Sequence, residues 1–141
     1  MLCYHRQKTK KFRRDGAYLE VKIPTRLLPL FEKYKSNNDY LLNFAERYQD
    51  SNCFNINVNS GLKPYCNYNG LPNVCIYNFR HSWATIAQNN CGASTAEVGF
   101  ALNHSSAHRA TEGYIKKDYS PISMLNEKVI ACVFGGDEDL K

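Results

Sequence analysis

Tyr114, Arg80, His104 and Lys8 are residues whose types together suit the cleavage of a phosphodiester. That reaction needs an in-line nucleophile, cations around the non-bridging oxygens and an acid for the leaving oxygen. Tyr114 can serve as the nucleophile, although a phenol with a pKa of about 10 needs a base or nearby cations to attack. Arg80 and His104 can clamp the phosphate, and Lys8 can reach a leaving 5′-oxygen. Each has a plainer reading. The chain has ten tyrosines, so Tyr114 can equally be a wall of the core. Arg80 can be a salt-bridge partner, His104 a helix-terminal residue and Lys8 a charge that keeps a hairpin in solution. His104 and His108 can share a metal, but no carboxylate or third ligand falls at a telling distance, so neither a metal nor another cofactor is expected.

The elements that must position these residues are legible as patterns. Residues 3–8 and 18–23 alternate and are β-prone, and Asp15-Gly16 is a turn signal between them, so a hairpin with a long basic loop is expected. Lys8 then sits on a strand beside that loop. "TRLLPLFEKYK" reads as a short amphipathic helix with Pro29 in its first turn. Phe54, Val58, Leu62 and Tyr65 mark one face of a helix between Asp50 and Asn69. Phe79, Trp83 and Ala87 mark another over 78–90, ended by Cys91-Gly92. Ser94 and Glu97 form a capping box for a helix through Leu102. Ser120-Pro121 opens a last helix whose apolar stripe is Ile122, Leu125, Val129 and Cys132. The expected fold is therefore α+β and mainly helical, with one small antiparallel hairpin.

Length and composition bound the rest. The 141 residues suit one domain, and a hydrophobic share of 43% argues against a disordered chain. No apolar run approaches the roughly 20 residues of a membrane span, and the basic N-terminus lacks the apolar segment of a secretory signal. The six cysteines show no CxxC pair, so reduced thiols in a cytoplasmic protein are expected. The net charge of +5 is unevenly spread. Arg6, Lys8, Lys10, Lys11, Arg13 and Arg14 meet no acid before Asp15, whereas residues 135–141 form an acidic tail. A polyanion near the first segment is one reading of that asymmetry, and a solvated hairpin is the other.

The order of the chemical residues narrows the choice. "NFRHSWATIA", then "ALNHSS", then "ATEGYI" resembles the C-terminal signature of the tyrosine recombinase, or phage integrase, family. There an arginine-histidine pair opens a helix, as Arg80-His81 does. A leucine-glycine-histidine-serine turn follows, matched by Leu102-Asn103-His104-Ser105. The nucleophilic tyrosine comes about ten residues later behind a threonine, as Thr111 and Tyr114 do. The family's hairpin lysine often stands in a "KT" pair, which Lys8-Thr9 fits. The resemblance runs from about Tyr4 to Val129.

The resemblance implies a largely helical catalytic domain, here over 1–134, that recombines mobile DNA elements. Tyr114 would attack double-stranded DNA to give a 3′-phosphotyrosine and a free 5′-hydroxyl, without ATP or metal. Arg80 would hold the phosphate, His104 would hydrogen-bond it or assist proton transfer, and Lys8 would be the general acid. Tyr77 stands where the family has histidine or lysine, and can still donate a hydrogen bond. Arg6, Lys10, Lys11, Arg13, Arg14 and His81 would lie against DNA. The helix over 120–133 would join protomers of a tetramer on DNA, or else be an ordinary core helix of its own chain. A bacterial or phage-encoded, cytoplasmic protein is implied.

Three departures, the Tyr77 replacement among them, shape the expectation. Only five residues precede Arg6, so the family's other pocket arginine and its DNA-clamping domain are expected to be missing. Losing one cation from a developing phosphorane costs on the order of 10²–10³ in rate. The chain is therefore expected to be a weak or inactive enzyme, or a DNA-binding remnant. Asn103 replaces the family's glycine, which suits a residue that enters the left-handed region readily.

Overall fold

The structure, a computed structural model of the chain, describes residues 1–6, 10–13, 15–38, 40–104 and 117–135. Among them the fold is mainly helical with one small antiparallel sheet. Strand β1 (Leu2–His5) pairs with β2 (Tyr18–Val21) in the register Leu2 to Val21 through His5 to Tyr18. Pairing reaches one step further, where the Arg6 amide donates to the Ala17 carbonyl at 3.0 Å. Lys8, expected on this strand, lies outside the described residues. Asp15-Gly16-Ala17-Tyr18 closes the return of the loop, with the Tyr18 amide donating to the Asp15 carbonyl at 3.2 Å. Its central residues have φ values of 60° (Gly16) and 53° (Ala17), the left-handed pair of a primed turn.

Five α-helices follow among the described residues. A 3-10 turn, Thr25–Leu27, leads into α1 (Leu28–Lys33), with Pro29 in its first turn, where a missing N–H costs nothing. Helix α2 (Ser51–Tyr68) is capped by the Asp50 carboxylate, which accepts from the Cys53 amide at 2.8 Å. It stops at Gly70, whose φ of +63° lets the Leu71 amide return to the Cys66 carbonyl at 2.8 Å. Helix α3 spans Ile76–Asn89, α4 Thr95–Ala101 and α5 Ser120–Phe134. The capping box of α4 is present in both directions: Ser94 Oγ accepts from the Glu97 amide, and Glu97 accepts from the Ser94 amide.

The chain divides into two compact units. The first holds residues 1–25 and 84–141, and among its described residues lies most of the buried apolar surface: Ala17, Leu19, Ala87, Val98, Ile122, Leu125 and Val129. Here α5 packs on α4 and on β2. An aromatic ladder runs beside it. His5 meets Tyr18, Tyr18 meets the edge of Tyr119, and Tyr119 stacks on Phe100 with centroids 5.8 Å apart. The second unit, residues 26–83, is organised around Tyr34, Phe44, Tyr48 and Phe54, with Phe44 and Phe54 stacked.

Several expected faces shift by one position. On α2, Tyr65 is 61% exposed and its neighbour Cys66 is buried instead, continuing the four-residue step from Phe54, Val58 and Leu62. On α3, Phe79 is exposed, and the less accessible stripe is Ile76, Arg80, Trp83, Ala84 and Ala87. The helix also starts at Ile76, earlier than expected, because the Asn78 side chain accepts from the Cys75 amide and so caps the start. On α5, Ile122, Leu125 and Val129 are buried within the chain, and Cys132 is exposed. Tyr119, not Ser120, is the residue flanking the first turn, and Ser120 instead bonds the Asp118 carboxylate.

Leu125→Ala should therefore destabilise the chain by about 2–4 kcal/mol in urea unfolding, and Met124→Ala by less than about 0.5. Similar losses from the two would contradict this assignment of the buried face of α5.

Candidate functional site

A polar knot in the first unit joins the hairpin loop to the end of α4. Asn103 follows α4 with φ of +54° and is 5% exposed. Its amide donates to the Phe100 carbonyl and the His104 amide to the Gly99 carbonyl, each at 2.9 Å, the two bonds of a left-handed helix stop. Every polar group of the Asn103 side chain is used. Nδ2 donates to the Ala17 carbonyl at 3.0 Å, and Oδ1 accepts from Arg13 Nη1. The backbone carbonyl of Asn103 accepts from Arg6 Nη1 at 2.9 Å.

Asp15 completes the knot. Its carboxylate faces the Arg13 guanidinium in a two-pronged contact, at 3.0 Å to Nε and 2.7 Å to Nη2. It also accepts from Lys117 Nζ and, at 3.0 Å, from the Ala17 amide. Burial on its own would raise the carboxyl pKa. The hydrogen bonds from Arg13, Lys117 and Ala17 outweigh it and hold the group well below the usual carboxylate range. Arg13 and Lys117 thus share one carboxylate while Arg6 stands on the Asn103 carbonyl, so cations outnumber acids among the described groups of the knot.

The expected site residues fall as follows. Arg13, with 13% of its side chain exposed, and Arg6 are engaged inside the chain, whereas Lys10 and Lys11 are exposed on the loop. His104 is exposed at the foot of α4, one residue beyond Asn103. Arg80, Tyr77 and His81 lie on the first turns of α3, in the second unit. Arg80 is half-buried on the inner stripe of that helix. Tyr77 and His81, one turn apart, meet edge to face with centroids at 4.7 Å. Tyr114, Lys8 and Arg14 lie outside the described residues, as does His108 of the metal alternative. Among the described residues no cluster of three His, Cys, Asp or Glu side chains could hold a metal ion. No helix among them is long and apolar enough to cross a membrane.

No protein-family model, curated protein or solved structure matches the chain.

Two described tyrosines near the knot are walls of the core. Burial pushes the Tyr119 phenol up, with the Asp15 charge acting in the same direction, and its hydroxyl donates to the Tyr18 carbonyl at 3.1 Å. Tyr18 is pushed up to about 12, first by its hydrogen bond with the Cys3 thiol and then by burial. Neither phenol is disposed to ionise and attack a phosphate.

Sequence reasoning passed over three members of the knot. Asp15 registers as a turn residue and the first acid after the basic run, Asn103 as a replaced glycine, and Lys117 is not singled out. The signal that finds Asn103 is its pairing with two loop arginines, and those partners stand 97 and 90 residues away.

Asp15 gives the knot a pH dependence with a defined sign. Its carboxyl is held below its unfolded value, so acid adds protons to the unfolded chain before the folded one. This contribution is complete above about pH 5 and drains as the pH falls through the unfolded value of about 3.9. Asp15→Asn should lower stability at pH 7 by about 1–2 kcal/mol and flatten the loss on acidification, as read by thermal melting from neutral to acid pH. Parallel acid profiles of the two chains would contradict the role given to Asp15.

Proposed function

We propose that the chain acts on double-stranded DNA as a tyrosine-type site-specific recombinase, working by strand cleavage through a 3′-phosphotyrosine and religation. The observation that carries the reading is Asn103. The arginine-histidine, leucine-x-histidine-serine and threonine-tyrosine runs occur in family order, and the second needs a left-handed residue where the family has glycine. Asn103 supplies that backbone with φ of +54° and leaves His104 exposed after it. The exposed Lys10 and Lys11, and the surplus charge around Asp15, support backbone contact with a polyanion.

In this reading Tyr114 attacks the phosphorus and the 5′-oxygen leaves with a proton from Lys8. Arg80 and His104 carry the non-bridging oxygens, Tyr77 adds a hydrogen bond, and His81, Lys10, Lys11 and Arg14 line the DNA side. A free 5′-hydroxyl then attacks the phosphotyrosine, so one ester bond replaces another and neither nucleotide nor metal is consumed. The inward grip on Arg6 and Arg13 makes them holders of the loop more than direct phosphate ligands. Protomers would assemble on DNA through α5, where Met124, Val133 and Phe134 remain exposed after the inner stripe is covered. The reaction places the chain with bacterial or phage DNA in the cytoplasm.

A nicked duplex that sheds its short cleaved strand tests the proposal by trapping the covalent adduct. The chain should form an adduct that resists chelator and vanishes in Tyr114→Phe. DNA binding without an adduct would favour the second reading, a non-catalytic DNA-binding remnant, which the exposed loop lysines also support. An equal adduct from Tyr114→Phe would sink the role of Tyr114.

A further inference from the structure

We infer that the Asn103 carboxamide and the Arg13–Asp15 ion pair are a positioning clip, which locks the basic hairpin loop to the turn that carries His104. The inference rests on the reading above for its catalytic consequence, and on geometry alone for the clip itself.

A left-handed stop after α4 needs only a residue tolerant of positive φ, and glycine would serve with less strain. Asn103 adds what glycine cannot. Its side chain bridges Arg13 on one side of the loop and the Ala17 carbonyl on the other, and Arg6 closes on its backbone oxygen. Three loop positions are thereby fixed to a single residue adjoining His104. A bridge that fixes one residue at three points constrains both distance and rotation, whereas one bond would leave a hinge.

The second half of the clip works on the other flank of the turn. Asp15 grips Arg13 with both carboxylate oxygens and also takes the Lys117 ammonium. Lys117 follows Tyr114 by three positions in the sequence. The chain is therefore held by one ion pair both at Asn103, just before His104, and at Lys117. Asp15 and Asn103 touch no substrate in this account. Their work is to fix where the loop cations stand relative to His104 and to Lys117.

The geometry makes the parts separable. Asn103→Gly keeps the left-handed backbone and the Arg6 bond to the carbonyl but removes both side-chain bridges. Asn103→Asp keeps an acceptor for Arg13 and tolerates the same φ, but loses the bond to the Ala17 carbonyl and sets an oxygen against it. The expected result has two parts. Amide exchange in Asn103→Gly should rise in residues 10–17 and at 103–104, with α4 and α5 as protected as before. Adduct formation on the nicked duplex should fall about tenfold or more, with DNA affinity changed less than about threefold, and Asn103→Asp, which keeps the Arg13 bridge, should recover part of the rate.

An unchanged adduct rate in Asn103→Gly would overturn the positioning role. So would a loss of protection across α4 and α5 that Asn103→Asp fails to restore, since that marks a purely structural residue. A parent chain that binds DNA but forms no adduct overturns the recombinase reading, and with it the catalytic half of this inference. The clip is then judged by exchange. A rise confined to the loop and turn in Asn103→Gly supports it as the device that holds the loop, and unchanged exchange overturns it.

Discussion

A carboxamide buried in left-handed backbone is the constraint on which the first unit depends. Asn103 is almost wholly removed from water, so each unmatched polar atom would cost about 1–3 kcal/mol. All of its side-chain groups are matched, and their partners among the described residues come from the hairpin. The hairpin cannot move away without exposing or orphaning them. The same bonds explain how a loop crowded with cations folds back on the protein: Arg6 and Arg13 are consumed by acceptors, and Asp15 neutralises charge at the point where the loop returns. Charge and conformation are satisfied by one set of contacts.

That arrangement sorts the basic loop by direction. Arg6 and Arg13 face inward with defined partners, and Lys10 and Lys11 remain exposed. Arginine suits the inward positions because its planar fork can meet a carboxylate in two places while a third N–H reaches another acceptor, as Arg13 does with Asp15 and Asn103. Lysine suits the outward ones, where a hydrated point charge on a flexible stem meets a polyanion without fixed geometry. The aromatic ladder from His5 to Phe100 supports the same junction from the apolar side. It carries packing from the sheet to α4 through Tyr119, whose hydroxyl also satisfies the Tyr18 carbonyl.

Most elements were legible because their signals are local. The capping box at Ser94 and Glu97, Pro29 in the first turn of α1 and the hairpin turn at Asp15-Gly16 each depend on residues within a few positions. Faces were legible only to within one residue. Tyr65 and Cys66 stand about 100° apart around the helix, and the inner face follows the four-residue step from Phe54 through Val58 and Leu62 to Cys66, which leaves Tyr65 outside. Cys132 continues the stripe of α5 by spacing but lies near the end of the helix, where nothing among the described residues buries it. The candidate site was legible as a set of chemical types in order. Its supporting shell was not, because Asn103, Arg13 and Asp15 are ordinary polar residues until the fold brings their distant positions together.

The choice of asparagine at 103 then has a physical logic. Glycine would reach the left-handed region at no steric cost, and a residue with a Cβ gives up on the order of 1 kcal/mol to stand there. A single hydrogen bond of typical net strength, about 0.5–1.5 kcal/mol, would barely offset that. Asn103 makes two through its side chain, one of them to a guanidinium that is itself paired with Asp15, so the balance favours asparagine only while the hairpin is docked. With the loop undocked, the same residue carries the conformational cost and gains nothing. The stop after α4 is therefore coupled to the hairpin: docking makes the left-handed turn favourable, and the turn in turn fixes where His104 begins.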